Sequence, residues 1–323
     1  VTSGSGAWAA AFAGLAGEQH ALTIGNFDGV HRGHRHLLNQ VIGAAARRKV
    51  RSLVVTFEPH PVAVLRPEAA PIRLCTPSTK VELLRAAGID DVVVLPFDND
   101  LASLSPEEFL QLLVDGARPT DMFVGEGFRF GRKRSGTTAL MDEWGKQHGF
   151  ETHVVAPLVD EEGVISSSRV RAALLAGDVK TAEKLLGRRA RLAGKVEHGM
   201  ARGRDLGYPT ANLHIPPGLG IPADGIYVGY AHLDDRSNGP REALIYIGTS
   251  PTFGDRERIV EVYILDFQGD LYSQDLEVEF LAFVRADMAF ESADALIARI
   301  AEDERVSRDI LSRSTPEQLA KGG

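Results

Sequence analysis

Thr23-Ile24-Gly25-Asn26-Phe27-Asp28-Gly29-Val30-His31-Arg32-Gly33-His34 sets three glycines and two histidines between an apolar run of strand length and a helical pattern. Upstream, Ala21, Leu22, Thr23 and Ile24 form the run; downstream, Leu37, Leu38, Val41, Ile42 and Ala45 recur at helical spacing. The glycines therefore fall in a strand-to-helix turn. There they let the backbone approach a bound anion, and the unpaired N–H groups and positive dipole end of the next helix add to the attraction. His31 and His34 are three residues apart, so a first helical turn puts both rings on one side, facing whatever sits at the helix start. Imidazoles aimed at non-bridging phosphoryl oxygens stabilise a charge-dispersed transition state with no covalent step. Zinc is a poor fit, because no cysteine lies near and no other histidine stands at finger-like spacing.

With 323 residues, 44% hydrophobic and 25% charged, the chain has apolar material for two domains and reads as soluble and globular. Its formal net charge of −8 argues against nonspecific nucleic-acid binding, which needs a basic surface. Basic runs are local: Arg47-Arg48-Lys49, Arg132-Lys133-Arg134 and Arg188-Arg189 are either phosphate contacts or solvated faces. The single cysteine, Cys75, excludes an internal disulfide and a thiolate metal cage, and suits a reducing cytoplasm. No span reaches membrane length. The apolar stretch 7–15, with no basic residue before it, predicts a small helix or ragged terminus and not a signal peptide.

Beyond the first helix, Ser52-Leu53-Val54-Val55-Thr56-Phe57 predicts a buried strand ending at Glu58-Pro59-His60-Pro61, where two prolines stop regular structure. Glu58 and His60 are polar residues at a strand end, where ligands are often met. Thr79-Lys80-Val81-Glu82 and Ser105-Pro106-Glu107-Glu108 both fit the capping box that opens a helix. Asp91-Val92-Val93-Val94-Leu95 and Met122-Phe123-Val124-Gly125 read as further strands. This alternation predicts an α/β unit whose parallel sheet is covered on both faces, with ligands beyond the carboxyl ends of its strands. On that rim the opening turn, residues 58–61 and Gly125-Glu126-Gly127 should converge. Phe128 and Phe130 follow, placed either to stack on a ring system or to fill the core. Ile165-Ser166-Ser167-Ser168-Arg169-Val170-Arg171 leads into a helix through Leu174 and Leu175; its hydroxyls suit a cap or a phosphate, and Arg171 lies one turn on.

After Leu186-Gly187 the pattern changes to short strands at 192–196, 227–233, 242–248 and 260–266, separated by glycine- and proline-rich turns, which predicts an antiparallel barrel or sandwich. Ala293, Leu296, Ile297, Ile300 and Ala301 add a closing amphipathic helix. The loop Gly199-Met200-Ala201-Arg202-Gly203-Arg204-Asp205-Leu206-Gly207 has glycines that admit phosphates and leads through Tyr208-Pro209 to Thr210-Ala211-Asn212. Thr210 and Asn212 face one way on a strand, offering a hydroxyl and a carbonyl oxygen of the kind Mg²⁺ prefers, though such residues also form turns. By chemistry alone Glu277 and Glu279 are candidate bases, but they alternate with Leu276, Val278 and Phe280, as on a solvent-facing strand edge.

Separated motifs in this chain carry a family resemblance. Gly25-Asn26-Phe27-Asp28-Gly29-Val30-His31-Arg32-Gly33-His34 is similar to the nucleotidyltransferase signature in its bacterial FAD synthetase form. Gly125-Glu126-Gly127-Phe128-Arg129-Phe130-Gly131 resembles that family's Gly-x-Asn-Phe-x-Phe-Gly segment, with Gly127 in place of asparagine. Ser166, Ser167, Ser168 and Arg171 resemble its Ser-Ser-Thr-x-x-Arg element, with Ser168 in place of threonine. Residues 199–212 are similar to the riboflavin kinase signature ending in Pro-Thr-Ala-Asn. The whole resembles the bifunctional riboflavin kinase and FMN adenylyltransferase family.

That resemblance implies a Rossmann-like nucleotidyltransferase domain with a parallel sheet over 1–186 and an antiparallel β-barrel kinase domain with a terminal helix over 187–323. It implies that ATP meets Gly25, Asn26, Phe27, Asp28, Gly33, Ser166, Ser167, Ser168, Arg169 and Arg171 in the first, where His31 and His34 are catalytic. In the second, ATP meets Gly199, Arg202, Gly203, Thr210 and Asn212, with Mg²⁺ on Thr210 and Asn212 and Glu261 as base. Flavin is implied at Glu58, His60, Phe128 and Phe130 in one domain and at Arg285 in the other. Riboflavin, FMN, FAD and ATP are the implied partners, in the cytoplasm, with no nucleic acid and no membrane. Two rivals stand beside this reading. A different nucleotidyltransferase fused to an unrelated barrel is opposed by the kinase-like loop; a flavin-binding or regulatory protein without catalysis is favoured only by Gly127.

Overall fold

The computed structural model of the chain describes residues 5–15, 17–197, 208–233, 239–251 and 256–314. Contacts group them into two units, one holding residues up to 72 with 76–166, the other holding 73–75 and those from 167 onward.

The first unit runs α1 (Ser5–Phe12), β1 (His20–Ile24), α2 (Arg32–Arg48), β2 (Arg51–Glu58), α3 (Pro61–Leu65), α4 (Pro77–Ala86), β3 (Asp91–Pro96), α5 (Asn99–Ser103), α6 (Pro106–Ala117), β4 (Pro119–Gly125), α7 (Thr138–His148) and β5 (Glu151–Val155), closing with a hairpin of β6 (Val159–Asp160) and β7 (Gly163–Val164). Its sheet has the order β3-β2-β1-β4-β5, parallel throughout. β1 lies in the middle and is buried along its whole length. Alternate side chains serve two cores. Leu22, Ile24, Leu53, Val55 and Met122 pack with α1 and α6 on one face, while Ala21, Val54 and Phe123 pack with Leu38 and Val41 of α2 on the other. The stretch 7–15 is partly this helix α1, which buries Trp8 and Phe12.

Chain winding reverses between β1 and β4, so the loops leaving those two strands open a crevice at the sheet's carboxyl edge. The box at Ser105 forms as expected, with reciprocal bonds to Glu108. Thr79, in contrast, is not the cap of α4. Thr76 is, because Pro77 fits the first helical position and starts the helix one turn earlier.

The second unit contains α8 (Ser167–Leu175), α9 (Val179–Leu186), β8 (Arg191–Glu197), β9 (Ala211–His214), β10 (Gly225–Leu233), β11 (Arg241–Pro251), β12 (Arg256–Ile264), β13 (Asp275–Arg285) and α10 (Ala293–Ser312). The strands close into a barrel in the order β10-β11-β12-β9-β8-β13, antiparallel at each pairing. Short β9 bridges β8 to β12 and so decides for a barrel over a sandwich. Tyr227, Ile245, Ile247, Val260, Val262 and Phe280 are buried on the inner faces of their strands. Val228, Leu244 and Leu281 point outward beneath Ile310 and Leu311 of α10.

Glu279 departs from expectation. It alternates onto the outer face of β13, yet it is only 5% exposed. Alternation sets which face a residue takes, not whether that face is wet: α9 packs on β13, and Arg191, Arg189 and His232 converge on the carboxylate, the last at 3.2 Å. Glu277, beside it, is half-buried and paired with Arg191 at 3.0 Å.

Candidate active sites

The turn after β1 is held from both sides. Gly25 N–H donates to Val55 O, and Thr56 Oγ1 donates to Asn26 O at 3.2 Å. Phe27, Gly29 and Val30 then take left-handed backbone at φ 48°, 77° and 39°. For β-branched Val30 that conformation costs of order 1–3 kcal/mol, and the burial of Val30 and Phe27 in the core holds it in place. The turn delivers His31 to the N-cap of α2, where its Nδ1 accepts the His34 N–H at 3.2 Å. In neutral His31 the proton therefore sits on Nε2, a hydrogen-bond donor. The two imidazoles stack with centroids 3.6 Å apart and planes 18° from parallel. Gly33 is required here: a Cβ would lie 2.7 Å from Ile165 O and 3.1 Å from the His31 ring.

The neighbouring strand ends meet this turn. His60 caps α3, its Nδ1 accepting the Val62 N–H, while its Nε2 is 3.2 Å from the Asn26 amide. Lys80, buried, donates to Phe57 O at 3.0 Å and stands 3.7 Å from Glu58. A cavity of about 660 Å³ opens beside Gly25, Asn26, Gly125, Glu126 and Gly127. Phe57, Phe97, Phe109, Phe128 and Phe130 give it an aromatic lining, and Arg129, Arg132, Lys133 and Arg134 add positive charge. Its size and chemistry suit a planar aromatic ligand carrying phosphate. Phe128 and Phe130 both line the cavity, and Phe130 is also buried in the core. Sequence reasoning missed Phe57, Phe97 and Phe109 as cavity residues, because they read as ordinary core.

Arg48 sits at the opposite edge of the sheet, bonded to Asp121 at 3.2 Å and to Glu151. It and Arg51, which grips Asp91 at 2.6 Å, supply the positive charge for two groupings of histidine and carboxylates, Asp121–Glu151–His153 and Glu18–His20–Asp91. Ser166 ends the first unit; Ser167, Ser168, Arg169 and Arg171 form the first turns of α8, grouped with the second.

On the barrel, β12 runs between β9 and β11, and Glu261 is in register with Asn212 on one side and Tyr246 on the other. Thr210 Oγ1 donates to Glu261 Oε2 at 3.4 Å. Glu261, about fifty residues on in sequence, thus joins Thr210 and Asn212 in one oxygen-rich cluster. Beside Thr210 lies a cavity of about 300 Å³ lined by Pro209, Val262 and the segment 267–272. That segment went unremarked in the sequence for want of any motif. Gly199, Arg202 and Gly203 lie outside the described residues. Arg285 is bound to Asp303 of α10 by bonds of 2.7–3.0 Å.

An FAD synthetase family model matches residues 15–169 and a riboflavin kinase family model matches 186–311. The bifunctional riboflavin kinase/FMN adenylyltransferase of Pseudomonas fluorescens is 39% identical over 295 residues, 90% of this chain and 93% of that protein. The chain belongs to the bifunctional riboflavin kinase/FMN adenylyltransferase family.

The family's protein of that name from Escherichia coli K12 is 36% identical over 297 residues, covering 91% of this chain and 94% of its own. A solved structure from Streptococcus pneumoniae, described as a macrolide-efflux protein, matches with a TM-score of 0.81 at 33% identity, over 90% of this chain and 94% of that one. Among the described residues here, no helix is long and apolar enough to cross a membrane. For an FAD synthetase unit, the departure at Gly127 changes little in the backbone. Its φ is +75°, a region that asparagine tolerates better than other side chains, and a Cβ there would meet nothing within 4 Å.

Proposed function

We propose that the chain makes FMN from riboflavin and ATP, then FAD from FMN and a second ATP, each unit performing one step. In the barrel unit the riboflavin chain hydroxyl attacks the γ-phosphate of ATP, Glu261 accepts its proton, and ADP leaves. Thr210 and Asn212 suit Mg²⁺, a hard cation that takes oxygen donors, because the Thr210 hydroxyl already lies 3.4 Å from a carboxylate. When bound, that ion neutralises phosphate charge. The cavity beside Thr210 is the place for the nucleotide.

In the first unit a phosphate oxygen of FMN attacks the α-phosphate of ATP and pyrophosphate leaves. The attacking oxygen is already an anion, so no base is needed; the demand is for donors to the charge on the α-phosphate. His31 Nε2–H, His34 and the first N–H groups of α2 meet it. The flavin ring occupies the phenylalanine-lined cavity, with Glu58 and His60 at the rim, and Ser166, Ser167, Ser168, Arg169 and Arg171 serve the nucleotide. We place both reactions in the cytoplasm.

The observation that carries the reading is the meeting of Glu261 with Thr210 and Asn212, since a nucleotidyltransferase joined to an unrelated barrel has no use for it. Incubation with riboflavin, ATP and Mg²⁺, with the flavins separated by chromatography, tests it. FMN followed by FAD is expected, and unchanged riboflavin overturns the kinase assignment.

A further inference from the structure

Glu261 has a neighbour that the reaction as described does not use. Tyr246 stands opposite it on β11, on the side away from Asn212, so the three form a row across the outer face of the barrel. The ring of Tyr246 lies along β11 over Gly248, two residues on, where any Cβ would collide with the phenolic oxygen. The hydroxyl donates to Asp287 Oδ2 at 3.3 Å, and Asp287 Oδ1 accepts the Met288 N–H at 2.8 Å. Asp287 belongs to the connection between β13 and α10. That connection is fixed at its start by the Arg285–Asp303 pair, with Arg285 also donating to Ala286 O and lying over the Phe290 ring, and it is tied to β11 by the phenol of Tyr246, the residue in register with Glu261.

We propose that Tyr246 is a positioning residue for the acceptor side of the kinase site: through its bond to Asp287 it holds residues 286–291 beside Glu261, as the wall along which riboflavin's hydroxylated chain lies. The inference rests on the kinase reading given above. Asp287 is exposed, and its carboxylate keeps lone pairs to accept from vicinal hydroxyls, the groups that chain presents. Orientation follows, because a chain lying against Asp287 brings its terminal hydroxyl toward the Glu261 carboxylate. Burial first, then the nearby Asp287 and Glu261 charges, pushes the Tyr246 phenol up to about 12, so it remains a donor across the working pH range.

FMN formation is measured with riboflavin varied at saturating Mg-ATP for the unmodified chain, Tyr246→Phe, Asp287→Ala, Asp287→Asn and the Tyr246→Phe/Asp287→Ala double variant. Tyr246→Phe and Asp287→Ala should each raise the riboflavin KM about 3–10-fold, as for one lost hydrogen bond, with kcat and the ATP KM changed less than about 2-fold. The double variant should be no worse than the weaker single one, and Asp287→Asn, which still accepts from the phenol, should stay within about 2-fold of the unmodified KM. An unchanged riboflavin KM in Tyr246→Phe overturns the proposal, as do additive effects or a parallel loss of kcat and both KM values. Riboflavin binding, read by quenching of flavin fluorescence, separates the two levels. No FMN from the unmodified chain refutes the kinase reading, whereas equal riboflavin binding with and without the phenol refutes the role of Tyr246.

Discussion

His31 Nδ1 accepts the backbone N–H of His34 while the two rings stack 3.6 Å apart, so one side chain both caps α2 and presents Nε2–H at the helix start. The roles can be separated. Asparagine caps a helix as well as any residue but has no imidazole. Both His31→Ala and His31→Asn should lower FAD formation about 10²–10⁴-fold and leave FMN formation intact. Thermal melting should show a loss of about 0.5–2 kcal/mol in His31→Ala only. Full FAD synthesis by His31→Asn would mean that the cap, not the ring, is what matters.

Glu261→Gln keeps the shape of the cluster with Thr210 and Asn212 and removes the base. FMN formation should fall about 10²–10⁴-fold, while FAD formation from supplied FMN continues at its normal rate. Chromatography of the two reactions run side by side reads both outcomes.

Gly127→Asn should fold normally, since the left-handed backbone suits asparagine and the Cβ position is open. One added hydrogen bond at the cavity would lower the KM for FMN about 2–10-fold in FAD formation. A raised KM would show that the side chain obstructs the cavity instead.

Glu279 links the buried cluster to pH. Burial works to raise its carboxyl, but the His232 hydrogen bond and the guanidinium groups of Arg191 and Arg189 outweigh it and hold it below the ordinary glutamate value of 4.5. Its stabilisation is therefore complete above that value and is lost as pH falls through the lower value of the folded state. Urea midpoints should drop more steeply on acidification for the unmodified chain than for Glu279→Gln. At neutral pH the variant should be less stable by up to about 3–5 kcal/mol, because Arg189 and Arg191 lose the buried carboxylate they share and keep only Glu183 and Glu277.

Much of the first site is legible in the chain because strand ends of a parallel sheet must share a rim. Gly25, His60 and Gly127 could be placed together without knowing any distance. The phenylalanines at 57, 97 and 109 could not, since an apolar cavity wall and an apolar core have the same pattern. Barrel register is harder still. No motif says that Tyr246 will face Glu261, because the register of the antiparallel β11–β12 pair, which ends with Pro251 opposite Arg256, sets that pairing, while short β9 brings Asn212 to the other side. Glu279 shows the limit of periodicity, which reports the face of a strand and is silent on the helix that covers it. By charge alone Arg48 reads as either a phosphate contact or part of a solvated face, yet its partners Asp121 and Glu151 lie more than seventy residues on, at the far edge of the sheet.

The central claim is that two separate sites act in sequence, and mixing two variants tests it most directly. Given riboflavin, ATP and Mg²⁺, His31→Asn alone should stop at FMN and Glu261→Gln alone should leave riboflavin unchanged. Together they should reach FAD, the first supplying FMN to the second. A mixture that accumulates FMN without FAD, although both proteins are folded, would contradict the assignment of the two steps to two independent sites.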